Sequence, residues 1–145
     1  MEREDMKDSN CIFCKIANGE IPSGTVEEND MFRVVLDVGP ATKGHALILP
    51  KDHYKNLYDL PEETAAEAVK MAKKVALKMK DKLGCDGVNI IQNNEEAAGQ
   101  TVFHFHMHLV PRYEGTENTD LLKVISGTAD AEELKALSEQ LRVEE

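Results

Sequence analysis

Short apolar segments bounded by turn-forming residues predict β-strands in five places along the chain. The predicted strands are Thr25–Glu28, Met31–Asp37, Gly44–Pro50, Gly87–Gln92 and Val102–Pro111. The first two flank a turn at Asn29 and Asp30 and should form a hairpin. The third segment is too apolar for either of its faces to be exposed to water, which predicts a strand inside the sheet.

A longer segment carries apolar residues at every third or fourth position, the period of a helix with one buried face. The repeating residues are Ala65, Ala68, Ala72, Val75, Met79 and Leu83. We expect a helix over Pro61–Leu83, capped at its start by Asp59 and ended by Gly84 in a left-handed conformation. Two shorter helices are expected at Cys11–Ala17 and Ala131–Val143.

A series of strands with one long helix between them indicates an α+β fold. We predict a largely antiparallel five-stranded sheet with one long helix and short terminal helices. The sequence contains no internal repeat and no long linker. We therefore expect one domain over residues 11–113, preceded by a flexible tail over residues 1–10 and followed by a linker and helix over residues 114–145.

The composition and charge of the chain indicate which ligands and which location to expect. The 145 residues include 41% hydrophobic residues, enough for one core, and carry a formal net charge of −10. This charge opposes binding to nucleic acid, although local N–H groups and imidazoles can still hold a small nucleotide. No segment has the apolar length of a signal peptide or a membrane helix. We expect a cytoplasmic protein that binds neither nucleic acid nor membranes.

Three histidines at alternate positions, His104, His106 and His108, are the strongest chemical feature of the sequence. On a strand their imidazoles should point to one side, while Phe103 and Phe105 face the core. Such a row can supply a nucleophile, or it can bind a metal such as zinc or copper. It can also be no more than a solvated strand face.

The cysteines form a second feature. The spacing Cys11-x-x-Cys14 provides half of a zinc site, but by itself it is equally consistent with a redox dithiol or with two core thiols. Cys85 makes the count odd, which argues against a disulfide framework. We expect Cys85 to be a small buried residue.

The run from His104 to Val110, His-Phe-His-Met-His-Leu-Val, resembles the signature of the histidine triad (HIT) family. The upstream segments that share the family's order are Gly99-Gln100-Thr101, Lys43-Gly44-His45, Asp37, and Ile12–Ile16 with Ile21-Pro22. The resemblance covers residues 11–113 and implies that they form a HIT catalytic domain. It also implies an α+β homodimer that acts through a covalent nucleotidyl-histidine.

The resemblance implies a role for each motif residue. His106 is the nucleophile, and His108 donates to the phosphate beside it. His104 is the first histidine of the same row. Gln100 and Thr101 are suitable donors to the phosphate oxygens. The residues implied to bind the nucleotide are Asp37, Asn93, Ile12, Phe13, Ile16, Ile21 and His45. Asp37 would accept hydrogen bonds from the ribose hydroxyls, although an aspartate at a strand end can also cap a turn.

A bacterial branch of the family also implies a metal. Its ligands are two N-terminal cysteines, a histidine in Pro-Lys-x-His and the first triad histidine, which correspond here to Cys11, Cys14, His53 and His104. A closed Cys₂His₂ set implies one structural Zn²⁺ per chain that the chemistry does not require.

The implied substrates are purine nucleoside 5′-monophosphate derivatives such as phosphoramidates. One alternative is a diadenosine polyphosphate hydrolase. An alternative from another class is a zinc-stabilised nucleotide-binding adaptor with little turnover. The implied homodimer pairs through the long helix and adjacent strand edges, where Ala68 and Ala72 would permit close approach of the two helices.

Overall fold

The computed structural model describes residues 7–115 and 127–142. The described α-helices are α1 (Ile12–Ala17), α2 (Glu62–Leu83) and α3 (Ala131–Leu141). The described strands are β1 (Thr25–Glu28), β2 (Phe32–Leu36), β3 (Ala46–Pro50), β4 (Gly87–Ile91) and β5 (Met107–Arg112). They form one sheet in the order β1-β2-β3-β5-β4, and every neighbouring pair is antiparallel. The predicted α+β class and five-stranded antiparallel sheet are confirmed.

The central strand β3 is buried on both faces because a helix covers each side of the sheet. Ala46 and Ile48 pack in the apolar cluster that includes α2, whereas Leu47 and Leu49 pack in the cluster that includes α1. This arrangement explains the uninterrupted apolar run of β3. β5 pairs with β3 so that His108 lies opposite Leu47, which places the imidazole on the α1 side.

The last strand is shorter than the predicted Val102–Pro111 because β5 begins only at Met107. The residues before it form hydrogen bonds to a loop instead of to a strand, since the Phe105 N–H donates to the Tyr54 carbonyl at 2.6 Å. The prediction that the first two triad histidines lie on a strand is therefore wrong. The predicted third strand is likewise trimmed, from Gly44 to Ala46 at its start.

The three imidazoles nevertheless share one side of the chain. The ring of Phe13 in α1 meets the rings of His104 and His106 edge-on, with centroid distances of 6.1 and 5.0 Å. The rings of His106 and His108 are 5.0 Å apart. Phe103 departs from the predicted alternation, because its side chain is 43% exposed rather than part of the core.

The helix α2 matches the predicted long helix except at its start. Its N-cap is Pro61, which makes no side-chain cap. Asp59, predicted as the cap, instead accepts two N–H groups of the preceding loop in a separate 3₁₀ turn over Leu57–Asp59. Gly84 ends α2 with φ of 63°, as predicted. Ala68 and Ala72 are each 1% exposed in the core of their own chain, so they are not available to a partner helix.

Both terminal helices of the described chain, α1 and α3, lie where the sequence predicts short helices. α1 agrees with the predicted first helix and has Cys11 as its N-cap. α3 contains no buried residue. The predicted last residue of that helix, Val143, lies outside the described residues, as do residues 1–6 of the predicted tail and 116–126 of the predicted linker. No helix within the described ranges has both the length and the apolar character needed to cross a bilayer.

Candidate active site

A largely apolar cavity of ≈ 360 Å³ lies on the α1 side of the sheet, beside the histidine row. The predicted site residues that line it are Ile12, Phe13, Ile16, Ile21, Asp37, Thr101, His106 and His108. The apolar members come from α1 and the segment that follows it, whereas the imidazoles and the threonine form a polar end. The cavity therefore suits a ligand with a flat apolar part and a polar part.

The cavity also has lining residues that the sequence motifs did not indicate. Val35, Leu47 and Leu49 contribute apolar side chains from β2 and β3. Only strand alternation could have indicated them, since Leu47 and Leu49 occupy the positions of β3 that point away from α2. A helix on each face of the strand makes both sets of positions apolar, which hides this signal.

His106 is held by the backbone of its own segment. Its Nδ1 lies 2.8 Å from the carbonyl oxygen of His104. A carbonyl can only accept, so Nδ1 carries the ring proton and Nε2 carries the free lone pair. Burial lowers the pKa of His106, which keeps the ring neutral at pH 7. The ring is thus a competent nucleophile at the polar end of the cavity.

A chain of hydrogen bonds places the proton of His108 on the opposite nitrogen. Nδ1 of His45 accepts from the Ala41 N–H at 3.0 Å, so the proton of His45 is on Nε2. That Nε2 lies 3.0 Å from Nδ1 of His108 and donates to it, which leaves the proton of His108 on Nε2. Burial lowers the pKa of both rings, that of His108 to about 4, so both are neutral at pH 7. His108 therefore offers an N–H donor beside His106, while His45 does not line the cavity.

Asp37 follows β2 directly and lines the cavity. Its Oδ1 accepts from the Gly39 N–H at 2.8 Å, so it also caps a turn. Asp37, His45 and His108 place possible ligand atoms within 4.8 Å of one another. A metal on Nε2 of His45 would move the ring proton to Nδ1, where it would face the Ala41 N–H. The cluster is therefore a hydrogen-bonded group rather than a metal site.

Like His45 and His104, the predicted residues Asn93 and Gln100 lie outside the cavity lining. Asn93 follows β4 in the loop that leads to the triad. Gln100 is 2% exposed and its amide bonds to four other groups of the protein. Its amide groups are therefore engaged within the protein, and its predicted role as a donor to the phosphate stays a prediction.

A second group of side chains converges next to the row. Sγ of Cys11 and Cys14 and Nδ1 of His53 and His104 all lie within 4.8 Å of one another. Nδ1 of His104 is 3.4 Å from each sulfur and 3.3 Å from Nδ1 of His53. Nε2 of His104 lies 2.8 Å from the Pro50 carbonyl and donates to it, so its Nδ1 has a free lone pair. The four predicted ligands are thus brought together.

The spacing of this group fits a tetrahedral ion. Bonds of about 2.3 Å to sulfur and about 2.05 Å to nitrogen at tetrahedral angles separate two nitrogens by about 3.3 Å and a sulfur from a nitrogen by about 3.6 Å. Burial raises the pKa of the Cys14 thiol to about 11, so a thiolate there needs a cation beside it. The donor set is closed and its chemistry suits Zn²⁺.

Comparison with known proteins decides the family. Residues 18–115 match the HIT domain, which is more than half of the chain. The chain belongs to the histidine triad (HIT) family. Over 105 residues this HIT protein is 44% identical to adenosine 5′-monophosphoramidase HNT1 of Saccharomyces cerevisiae, a match that covers 72% of this chain and 64% of that protein.

Solved structures of similar proteins share the fold of this HIT protein. The crystal structure of SMU.412c from Streptococcus mutans UA159 aligns with a TM-score of 0.85 at 38% identity, covering 97% of this chain and 88% of that one. A Zn-bound histidine triad family protein from Mycobacterium smegmatis aligns with a TM-score of 0.72 at 37% identity, covering 91% and 95% of the two chains.

Proposed function

We propose that the protein cleaves purine nucleoside 5′-monophosphate derivatives through attack of His106 Nε2 on the α-phosphate. The observation that carries this proposal is the hydrogen bond from His106 Nδ1 to the His104 carbonyl, which leaves Nε2 unprotonated at the polar end of an apolar cavity. The base packs between α1 and β3, and Asp37 accepts from the ribose hydroxyls. For Asn93, which lies outside the cavity lining in the loop after β4, we propose a contact with the ribose and phosphate.

The reaction has two displacements at phosphorus. In the first, the lone pair of His106 Nε2 forms a bond to phosphorus while the bond to the leaving group breaks, and a leaving amine takes a proton from solvent. The His104 carbonyl holds the charged nucleotidyl-imidazole through its Nδ1–H, while His108 N–H and the Thr101 hydroxyl donate to the phosphate oxygens. In the second, water attacks phosphorus and loses a proton to solvent. The P–Nε2 bond breaks, which releases the nucleoside monophosphate and neutral His106.

The charge of the cavity supports a phosphoramidate rather than a diadenosine polyphosphate as substrate. Among the described residues that line it there is no Lys or Arg, and the only carboxylate is Asp37. A polyphosphate chain carries several negative charges that such a lining cannot neutralise. A phosphoramidate carries one negative charge on its phosphate oxygens, which the His108 N–H and the Thr101 hydroxyl can stabilise. The similarity to a yeast adenosine 5′-monophosphoramidase supports the same choice.

We propose that Cys11, Cys14, His53 and His104 hold one structural Zn²⁺ per chain. The spacing of their ligand atoms and the closed Cys₂His₂ set support this proposal. A Zn-bound protein from the same family is similar in structure. The bound ion would join α1 to the segment before β5 and would leave no coordination position open to substrate.

We further propose that residues 11–113 form the catalytic unit and that this unit works as a homodimer. Large apolar side chains remain exposed on α2 and on the edge strand β4, namely Val69, Leu77 and Ile90. An exposed sheet edge next to a helix with exposed apolar side chains suits pairing with a second copy of the same surface.

Replacement of His106 by Gly tests the mechanism. We expect turnover of an adenosine phosphoramidate to fall by about 10⁴-fold or more, because the nucleophile is lost, while AMP still binds. Intact-protein mass spectrometry of the wild type during turnover should show a nucleotidyl adduct that maps to His106.

Added imidazole provides the control for this experiment. It can enter the space that the His106→Gly substitution leaves, and it should restore part of the turnover without any adduct on the protein. Turnover of the variant near the wild-type level would contradict the mechanism. Nucleotide binding without turnover in the wild type would favour the adaptor, and faster turnover of a diadenosine polyphosphate than of the phosphoramidate would favour the polyphosphate hydrolase.

A further inference from the structure

Asn56 and Gln100 form a buried amide pair outside the cavity. Each side chain is 2% exposed. Gln100 Nε2 donates to the carbonyls of Lys55 at 2.6 Å and Val102 at 3.1 Å, and its Oε1 accepts from the Glu95 N–H at 2.8 Å and from Asn56 Nδ2 at 3.3 Å. A primary amide has two donor protons and two acceptor lone pairs, so Gln100 is saturated within the protein.

The pair also holds a residue in an unusual backbone conformation. Glu95 has φ of 77° and ψ of 159°, a region that residues with a Cβ rarely adopt. Asn56 Nδ2 donates to its Oε1 at 3.1 Å, and the Lys55 ammonium lies 3.4 Å from its Oε2. Such a conformation persists only where the surroundings hold it, and it is common next to functional sites.

The amide pair connects the two segments at the polar end of the cavity, one that contains Thr101 and one that contains His106. Gln100 immediately precedes Thr101, which lines the cavity, and bonds to the carbonyl of Val102, which also lines it. On the other side, Asn56 belongs to the loop whose Tyr54 carbonyl accepts from the Phe105 N–H at 2.6 Å, directly before the nucleophile. One loop is therefore bonded to both the donor segment and the nucleophile segment.

We infer that the Asn56–Gln100 pair positions the loop 92–102 against the nucleophile, so that the phosphate donors meet the α-phosphate at the distance that reaction requires. Both members are positioning residues, because neither lines the cavity. The inference rests on the proposed function. It assigns Gln100 to the support of the polar end of the cavity instead of to direct contact with substrate, and it adds Asn56 and Glu95 to that support.

The variant Asn56→Asp tests this inference with almost no change of volume. It places a carboxylate oxygen against Oε1 of Glu95 and Oε1 of Gln100. Three acceptors then meet, and the loop loses the hydrogen bonds that Asn56 Nδ2 donates to it. We expect kcat/KM for an adenosine phosphoramidate to fall roughly 10- to 100-fold, as misplaced catalytic groups produce. Affinity for AMP should fall in calorimetry by about tenfold, whereas affinity for adenosine should change by less than about twofold, because the base sits between the apolar walls.

Three further variants separate positioning from loss of structure. Gln140→Glu makes a similar amide-to-carboxylate change on the exposed helix α3 and should leave kcat/KM and both affinities unchanged. In the double variant Asn56→Asp with Glu95→Gln, the amide at position 95 can donate to the carboxylate at position 56. This reversed pair should restore part of the lost kcat/KM. Should Asn56→Asp fail to fold, Asn56→Ala removes the same donor without adding charge.

Unchanged kcat/KM and AMP affinity in folded Asn56→Asp would overturn the inference, as would an equal loss of affinity for adenosine and AMP. Either result would leave the proposed function intact. A wild-type protein that neither binds AMP nor turns over the phosphoramidate would instead refute the proposed function, and this inference with it.

Discussion

At the scale of single residues, the chemistry of the site depends on which nitrogen of each imidazole carries the proton. Backbone groups determine this. The His104 carbonyl holds the proton of His106 on Nδ1, and the Ala41 N–H, acting through His45, holds that of His108 on Nε2. Neighbouring rings therefore have opposite functions, one presenting a lone pair and the other an N–H. The lone pair of His106 requires a neutral ring, which is favoured because burial lowers the pKa of His106.

His108 should make the folded protein less stable in acid. Its pKa is lowered from 6.5 to about 4, first by burial and then by His106 and His45, with Asp37 acting in the opposite direction. Between these two values the unfolded chain binds a proton at His108 that the folded chain does not. The free energy of unfolding therefore falls as the pH falls through that window. We expect the urea midpoint to drop more steeply between pH 7 and pH 4.5 in the wild type than in His108→Gln.

The comparison of these two proteins removes the contribution of the metal ligands. Both keep the same cysteines and the same His53 and His104, so release of a metal in acid affects both midpoints equally. Parallel pH profiles for the two proteins would contradict the lowered pKa of His108.

At the scale of elements, α1 shows how a short helix is held in place. Its six residues are too few for a stable isolated helix. Cys14 turns inward to the Cys and His cluster, while Phe13 and Ile16 line the cavity. The same helix thus joins the candidate metal site to the wall that would contact the base.

Metal removal should therefore lower both the stability of the folded protein and its affinity for the base of the nucleotide. We expect purified protein to contain about one zinc per chain by mass spectrometry of the metal content. Cys14→Ala should lose that zinc and should lower the Tm by roughly 10 °C, the shift that a loss of about 3 kcal/mol produces in a domain of this size. Adenosine should bind more weakly to Cys14→Ala because α1 is no longer anchored.

Cys85→Ala is the matched control, since Cys85 is also buried but lies in the core next to α2, away from the cluster. It should keep its zinc. Zinc that persists in Cys14→Ala but disappears in His106→Ala would contradict the structural site and would indicate a metal bound by the triad row.

At the scale of the whole molecule, α2 and the edge strand β4 carry large apolar residues that are exposed to solvent. On α2, Val69 is 61% and Leu77 is 59% exposed, and on the edge strand β4, Ile90 is 54% exposed. These side chains point away from the core that Ala68 and Ala72 occupy. A homodimer would therefore use the outward face of α2 and not the small residues that its sequence period suggests.

Leu77→Glu should weaken the homodimer. The wild type should sediment at micromolar concentration with about twice the chain mass of 16.1 kDa. Burying the added carboxylate in an apolar interface should raise the dimer dissociation constant by about tenfold or more. Tyr58→Glu places the same charge at a 77% exposed position outside α2 and β4 and should leave the dimer intact. A wild-type monomer with full activity would refute the dimer and leave the proposed chemistry unaffected.

Much of the fold was predictable because it depends on local patterns. The period of α2, the left-handed Gly84 and the apolar run of β3 all follow from neighbouring residues. The start of β5 did not follow, because an extended segment joins a ladder only where a partner strand lies beside it. Val102–Pro111 has one extended pattern, yet the partner strands β3 and β4 begin to pair with it only at Met107 and His108.

The sequence by itself determined the identity of the reactive groups: the triad, the apolar residues of α1 and the four possible metal ligands. Residue type and spacing indicate the histidine row and the Cys11-x-x-Cys14 pair, whereas the resemblance to the HIT family indicates the nucleotide-lining role of α1 and adds His53 and His104 as metal ligands. Only the tertiary structure decided how each group is used, because the deciding hydrogen bonds join distant parts of the chain. His104 turns its Nδ1 to the cluster because the carbonyl of Pro50, 54 positions away, binds its other nitrogen. The amide of Gln100 donates to the carbonyl of Lys55, 45 positions away, and no local sequence pattern predicts such a hydrogen bond.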